Sequence, residues 1–114
     1  MVILERAKES VKIVSLVGHL DGMTCGEVQE KLTALVEAGT TQMVLDLSRM
    51  DYISSAGLRV LLILQKSLKS KSGEAVFLKV QDSVKEVFNL SGFSALFTFF
   101  ASEEEALNKL QKGV

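Results

Sequence analysis

Proline and tryptophan are absent from this chain of 114 residues, and cysteine, histidine and tyrosine occur once each. The lone thiol, Cys25, has no partner for an intramolecular disulfide, which fits a reducing compartment or indifference to redox. One histidine and one cysteine also fall short of the three or four protein ligands of a usual zinc site. A thiol–imidazole nucleophile could only be His19 with Cys25, and no third group is evident to orient it. Neither sign of charge dominates: thirteen Lys and Arg against fourteen Asp and Glu give −1. A broad basic field for a phosphodiester backbone is therefore missing. The longest strongly apolar run, Val60 to Leu64, is far below the ~18 residues of a membrane span. The first ten residues include Glu5, Arg6, Lys8 and Glu9 and lack the apolar centre of a secretory signal. No metal, cofactor, catalytic residue, direct nucleic-acid contact or membrane contact is expected, and the cytoplasm is the expected location.

What remains is a globular composition, 47% hydrophobic and 24% charged, in a chain the size of one domain, residues 1–114. With no proline, the eight glycines carry most of the punctuation. Ile3–Ala7 is a weak strand, and Val11–Val17 alternates more clearly, with Lys8-Glu9-Ser10 as the turn between them. A loop follows from Gly18 to Gly22, in which Asp21 is suited to capping backbone N–H groups or to touching a partner. Gly18 and Gly22 lack the spacing and the lysine of a phosphate-binding loop. Thr24 and Glu27 have capping-box spacing before a helix to about Glu37, which buries Val28, Leu32, Leu35 and Val36.

Met43–Leu47 predicts a strand covered on both faces. After a short connection, a long helix begins at Ser54 or Ser55 and runs to about Lys71. Ala75–Val80 forms the next strand. Ser83 with Glu86 caps a short helix carrying Val84, Val87, Phe88 and Leu90. Leu96–Phe100 is a last strand, and Ser102 with Glu105 caps a final helix. The order predicts an α/β fold: a mostly parallel mixed sheet of about five strands, with four helices in right-handed βα connections. If successive strands are neighbours, those helices stack on one face.

The informative stretch is Leu45 to Arg59. A serine at the helix start needs only a capping role, but Gly57 in the first turn costs up to ~1 kcal/mol relative to alanine. A close approach by another backbone or by a partner would offset that cost. At about 100° per residue, Ser55, Arg59 and Lys66 share one side of the helix, flanked by Leu62 and Ile63. Leu61, Leu64 and Leu68 point the other way. An exposed Ser55 at the positive end of a helix suits a phosphoserine.

At this point the chain resembles the STAS family, in particular the bacterial anti-sigma factor antagonists. The residues that carry the resemblance are Val17-Gly18-His19-Leu20-Asp21, Val44-Leu45-Asp46-Leu47-Ser48 and Tyr52-Ile53-Ser54-Ser55-Ala56-Gly57-Leu58. The tail from Val84 through Phe93, Phe97 and Glu104-Glu105-Ala106-Leu107 also fits. The resemblance implies that a cognate anti-sigma factor, an ATP-dependent serine kinase, binds the unphosphorylated chain, releases sigma factor and phosphorylates Ser55. Ser54 is the runner-up acceptor, and a PP2C-type phosphatase would restore binding.

The partner-binding residues so implied are Asp21, Ser54, Ser55, Ala56, Gly57, Leu58, Arg59, Leu62 and Ile63. Ser54 stands where the family often has aspartate, Ala56 replaces a second hydroxyl residue, and Arg59 occupies a frequent glycine. A constitutive STAS adaptor in a signalling or lipid-transport assembly is the alternative expectation.

Overall fold

A computed structural model describes residues 1–112. The chain opens with β1 (Val2–Lys8) and β2 (Val11–Leu20), an antiparallel hairpin turning at Glu9 and Ser10. Then follow α1 (Cys25–Glu37), β3 (Gln42–Asp46), β4 (Met50–Ile53) and α2 (Ser55–Lys69). The rest is β5 (Glu74–Leu78), α3 (Asp82–Ser91), a 3-10 turn (Ser94–Leu96), β6 (Phe99–Phe100) and α4 (Glu103–Lys112). The six-stranded sheet runs β1-β2-β3-β5-β6, with β4 paired to the far end of β2. Every pairing except β1–β2 is parallel. The expected α/β class, the mostly parallel sheet and the four helices are all present.

Alternation along the strands divides the core in two. Val14, Leu16, Met43, Leu45, Ala75 and Phe77 face α1, α2 and α3. Their neighbours Val11, Ile13, Val44, Val76 and Leu78 face α4, meeting Ala106, Leu107 and Leu110. This corrects the expectation of helices on one face: three lie on one side of the sheet and α4 on the other. Arg6 on β1 also pairs with Glu103 on that side.

Four local expectations need correction. The connection after β3 contains a strand, β4, which makes the sheet six-stranded rather than five. The last strand shrinks to two residues, because Phe97 turns inward to pack on Phe77 and Phe88, with centroids 5.0 and 5.1 Å away. The helix expected to be capped by Ser83 starts earlier, with Gln81 at its N-cap and the Gln81 amide bonded to the Ser48 carbonyl. Leu90, expected among the apolar residues of that helix, is 80% exposed. The cap at Ser102 does form, its hydroxyl accepting the Glu105 N–H at 3.2 Å.

Gly73 lets α2 return into β5, since a Cβ there would lie 1.8 Å from the Thr41 carbonyl oxygen. Beyond it, the outward N–H and C=O of Ala75 have no neighbouring strand, because β6 begins its pairing only at Phe77. The buried Gln65 amide fills the gap. Its oxygen accepts from Ala75 N at 2.8 Å, and its nitrogen donates to the carbonyls of Ala75 and Leu96 at 3.2 and 3.0 Å. One side chain on α2 thereby fixes the helix to the sheet and holds the 3-10 turn in place.

Candidate partner-docking site

The start of α2 is built onto the end of β2. Ser54 N–H donates to the Leu20 carbonyl at 2.9 Å, and at Gly57 a Cβ would sit 2.6 Å from that same oxygen and 2.7 Å from Leu20 Cγ. The cost of glycine in a first helical turn is therefore offset within the chain, by a close approach that no side chain would permit. Gly57 and Leu58 are buried, Leu58 only 4% exposed. This corrects the expectation that both contribute surface to a partner: they hold the helix end down.

The same geometry separates the two serines. Ser54 is extended, with φ −95° and ψ 173°, and its hydroxyl accepts the Gly57 N–H at 3.2 Å. It is the N-cap, satisfying one of the orphan donors at a helix start. Ser55 is the first helical residue, exposed, and its hydroxyl makes no hydrogen bond to any described residue. Arg59 and Lys66 are also exposed on this helix, Ile63 is 43% exposed and Leu62 half-buried. A shallow depression between α1 and α2 is bordered by Cys25, Gln29, Ser55, Ala56, Arg59 and Ile63.

The loop beside it is folded by Asp21, whose carboxylate accepts from Met23 N at 2.9 Å and Thr24 N at 3.3 Å. Capping is thus what this carboxylate does in the structure. The capping box expected at Thr24 and Glu27 does not form: the Thr24 hydroxyl is turned back into the loop, accepting the Asp21 N–H at 3.0 Å and donating to the His19 carbonyl at 2.8 Å.

Pairing of β4 with β2 brings His19 opposite Tyr52. His19 Nδ1 lies 2.7 Å from Asp51 Oδ1, with both side chains exposed, and the Tyr52 ring meets His19 edge-on at 6.1 Å. Met23 is 95% exposed at the loop tip. The proximity of His19, Asp51 and Tyr52 depends on β4, a strand that the local pattern does not reveal, whereas Met23 belongs to the loop folded by Asp21. His19 engages Asp51, while Cys25 Sγ faces the Gly22 carbonyl at 3.6 Å, so the thiol and imidazole are not a nucleophile pair. Among the described residues no three His, Cys, Asp or Glu side chains gather to hold a metal, and no helix is long and apolar enough to cross a membrane. The arrangement offers a surface with a displayed hydroxyl.

Comparison with known proteins agrees with that geometry. The family model for the STAS domain matches residues 3–106. The chain belongs to the STAS-domain family. Within it, the putative anti-sigma factor antagonist BtrV of Bordetella bronchiseptica is 40% identical over 98 residues, covering 86% of this chain and 84% of the relative. The anti-sigma-B factor antagonist of Staphylococcus aureus is 30% identical over 83 residues, covering 73% and 77%. Among solved structures, the anti-sigma factor antagonist SpoIIAA in its unphosphorylated form superposes with a TM-score of 0.83 at 22% identity, over 99% of this chain and 98% of that one. The phosphorylated form of SpoIIAA, from Bacillus, gives 0.74 at 21% identity, over 95% and 98%. By homology this STAS domain belongs with the anti-sigma factor antagonists.

Proposed function

We propose that this chain is a phosphorylation-switched docking module that binds an anti-sigma factor of the serine-kinase type and thereby frees a sigma factor. Ser55 is the switch. The observation that carries this reading is the division of labour between neighbouring serines: Ser54 is committed to the cap, and Ser55 stands exposed at the first helical position. In the switching step the γ-phosphoryl group of ATP passes to Ser55 Oγ, ADP departs and the hydroxyl proton is released. The product carries about −1.5 to −2 charge where the helix dipole and the open N–H groups favour an anion. The helix therefore tolerates the modification, and the change is felt by whatever docks there. A PP2C-type phosphatase reverses the step by hydrolysis to serine and inorganic phosphate.

The docking surface comprises Ser55, Ala56, Arg59, Leu62 and Ile63 on α2, with the Asp21 loop beside them. Ser54, Gly57 and Leu58 set its shape from beneath.

Incubation with the cognate kinase and ATP, followed by mass spectrometry, is expected to place phosphate on Ser55. Phosphate on Ser54 alone, or on neither serine, would remove the switch. Ser55→Ala is expected to retain partner binding and Ser55→Asp to weaken it, and equal affinities would contradict the electrostatic mechanism. Co-purification with transporter subunits, with no ATPase partner, would instead identify a constitutive adaptor.

A further inference from the structure

Arg59 lies four residues beyond Ser55 on α2, exposed and without a carboxylate partner among the described residues. The first turn of that helix also contains no acidic residue to compete for it. Both side chains border the same depression between α1 and α2. We propose that phosphoserine at position 55 is clamped by its own helix, with the Arg59 guanidinium donating two hydrogen bonds to phosphate oxygens. This rests on Ser55 being the modified residue, and it concerns what the phosphate does after it arrives.

Helical geometry allows the pair. Residues four apart have Cβ atoms about 5–6 Å from each other, and an anion on the N-terminal side of a cation is the favoured sense. Arginine and phosphate are matched for two parallel N–H···O contacts, whereas lysine presents a point charge. A phosphoserine oxygen stands one bond further from the backbone than an aspartate oxygen, so aspartate at this position reaches the guanidinium less well.

The clamp changes how the switch is read. A phosphate of about −1.5 to −2 paired with one guanidinium leaves about −0.5 to −1 at the helix end. It also lays the group along the depression instead of out into solvent. A docking partner then meets an occupied, hydrated surface more than a bare charge. Its exclusion should persist at salt concentrations that screen long-range repulsion.

The test installs phosphoserine at position 55 by genetic encoding, without a kinase, in the full chain and in its Arg59→Gln and Arg59→Lys variants. Phosphorus NMR then follows protonation of the phosphate. Arg59 is expected to weaken proton binding by about threefold relative to Arg59→Gln, the size of a modest surface pair, with Arg59→Lys in between. Superimposable curves for the parent and Arg59→Gln would overturn the clamp, and full recovery by lysine would overturn its two-point geometry. Because no kinase takes part, superimposed curves retire the clamp while leaving the partner switch standing. An anti-sigma factor that binds equally with and without the phosphate would retire the switch instead.

Discussion

The Ser54 hydroxyl and the missing side chain of Gly57 act together on one oxygen-lined corner, where the end of β2 meets the start of α2. Replacing Ser54 with alanine removes the acceptor for the Gly57 N–H. The expected loss is about 1 kcal/mol of stability, measured by urea unfolding, with Ser55 still open to modification. Gly57→Ala sets two effects against each other. Alanine favours the helix by up to about 1 kcal/mol, but its Cβ would lie 2.6 Å from a backbone oxygen that cannot rotate away. Overpacking of this kind costs about 1–3 kcal/mol, so a net loss is expected. Docking should weaken with it, because the contact can be relieved only by moving the helix end that presents Ser55.

Elements read well from sequence where a long period was present, and poorly where a short segment was held by a distant neighbour. The stripes of α1 and α2 are legible because Val28, Leu32, Leu35 and Val36 of α1 and Leu61, Leu64 and Leu68 of α2 are buried at helical spacing. β4 is not, because its burial runs buried, exposed, exposed, buried over only four residues, which has no strand period. Its existence depends on pairing with β2 across an irregularity between Gly18 and His19. Capping spacing is equally ambiguous: Thr24 with Glu27 and Ser102 with Glu105 share it, but the Asp21 N–H and the His19 carbonyl turn the Thr24 hydroxyl into the preceding loop.

The exposed side of α2 was legible for a related reason, since Ser55, Arg59 and Lys66 follow from the helix period alone. The role of Gln65 is not legible in the sequence, although its helical position faces inward, because its partners come from β5 and from the turn after α3. Gln65→Leu would leave the buried Ala75 N–H without an acceptor, at a cost of about 1–3 kcal/mol. Hydrogen exchange is expected to accelerate at Ala75 and around Leu96. Unchanged exchange there would remove this side chain from its bridging role.

For the molecule as a whole, the sheet separates the α4 side of the core from the proposed docking surface on α2. α4 closes one face through Ala106, Leu107 and Leu110, while the α2 surface lies across the sheet on the other face. Leu110→Ala is expected to cost about 2–5 kcal/mol, as other buried leucine truncations do. Affinity for a partner should remain at its original value wherever the variant is still folded. A parallel loss of affinity would mean that the two faces are coupled. The near balance of charge, −1 in total, has a related consequence: no strong global field masks a local change, so a single phosphate is a large perturbation near α2 and a small one elsewhere.

The most direct measurement is calorimetric titration of the cognate anti-sigma factor with this STAS domain, unmodified and carrying phosphate on Ser55 alone. Exposure of that hydroxyl on the proposed docking surface leads us to expect a loss of about a hundredfold or more in affinity, or roughly 2.7 kcal/mol. Equal affinity for the two forms would contradict the switch, whatever fold the partners share.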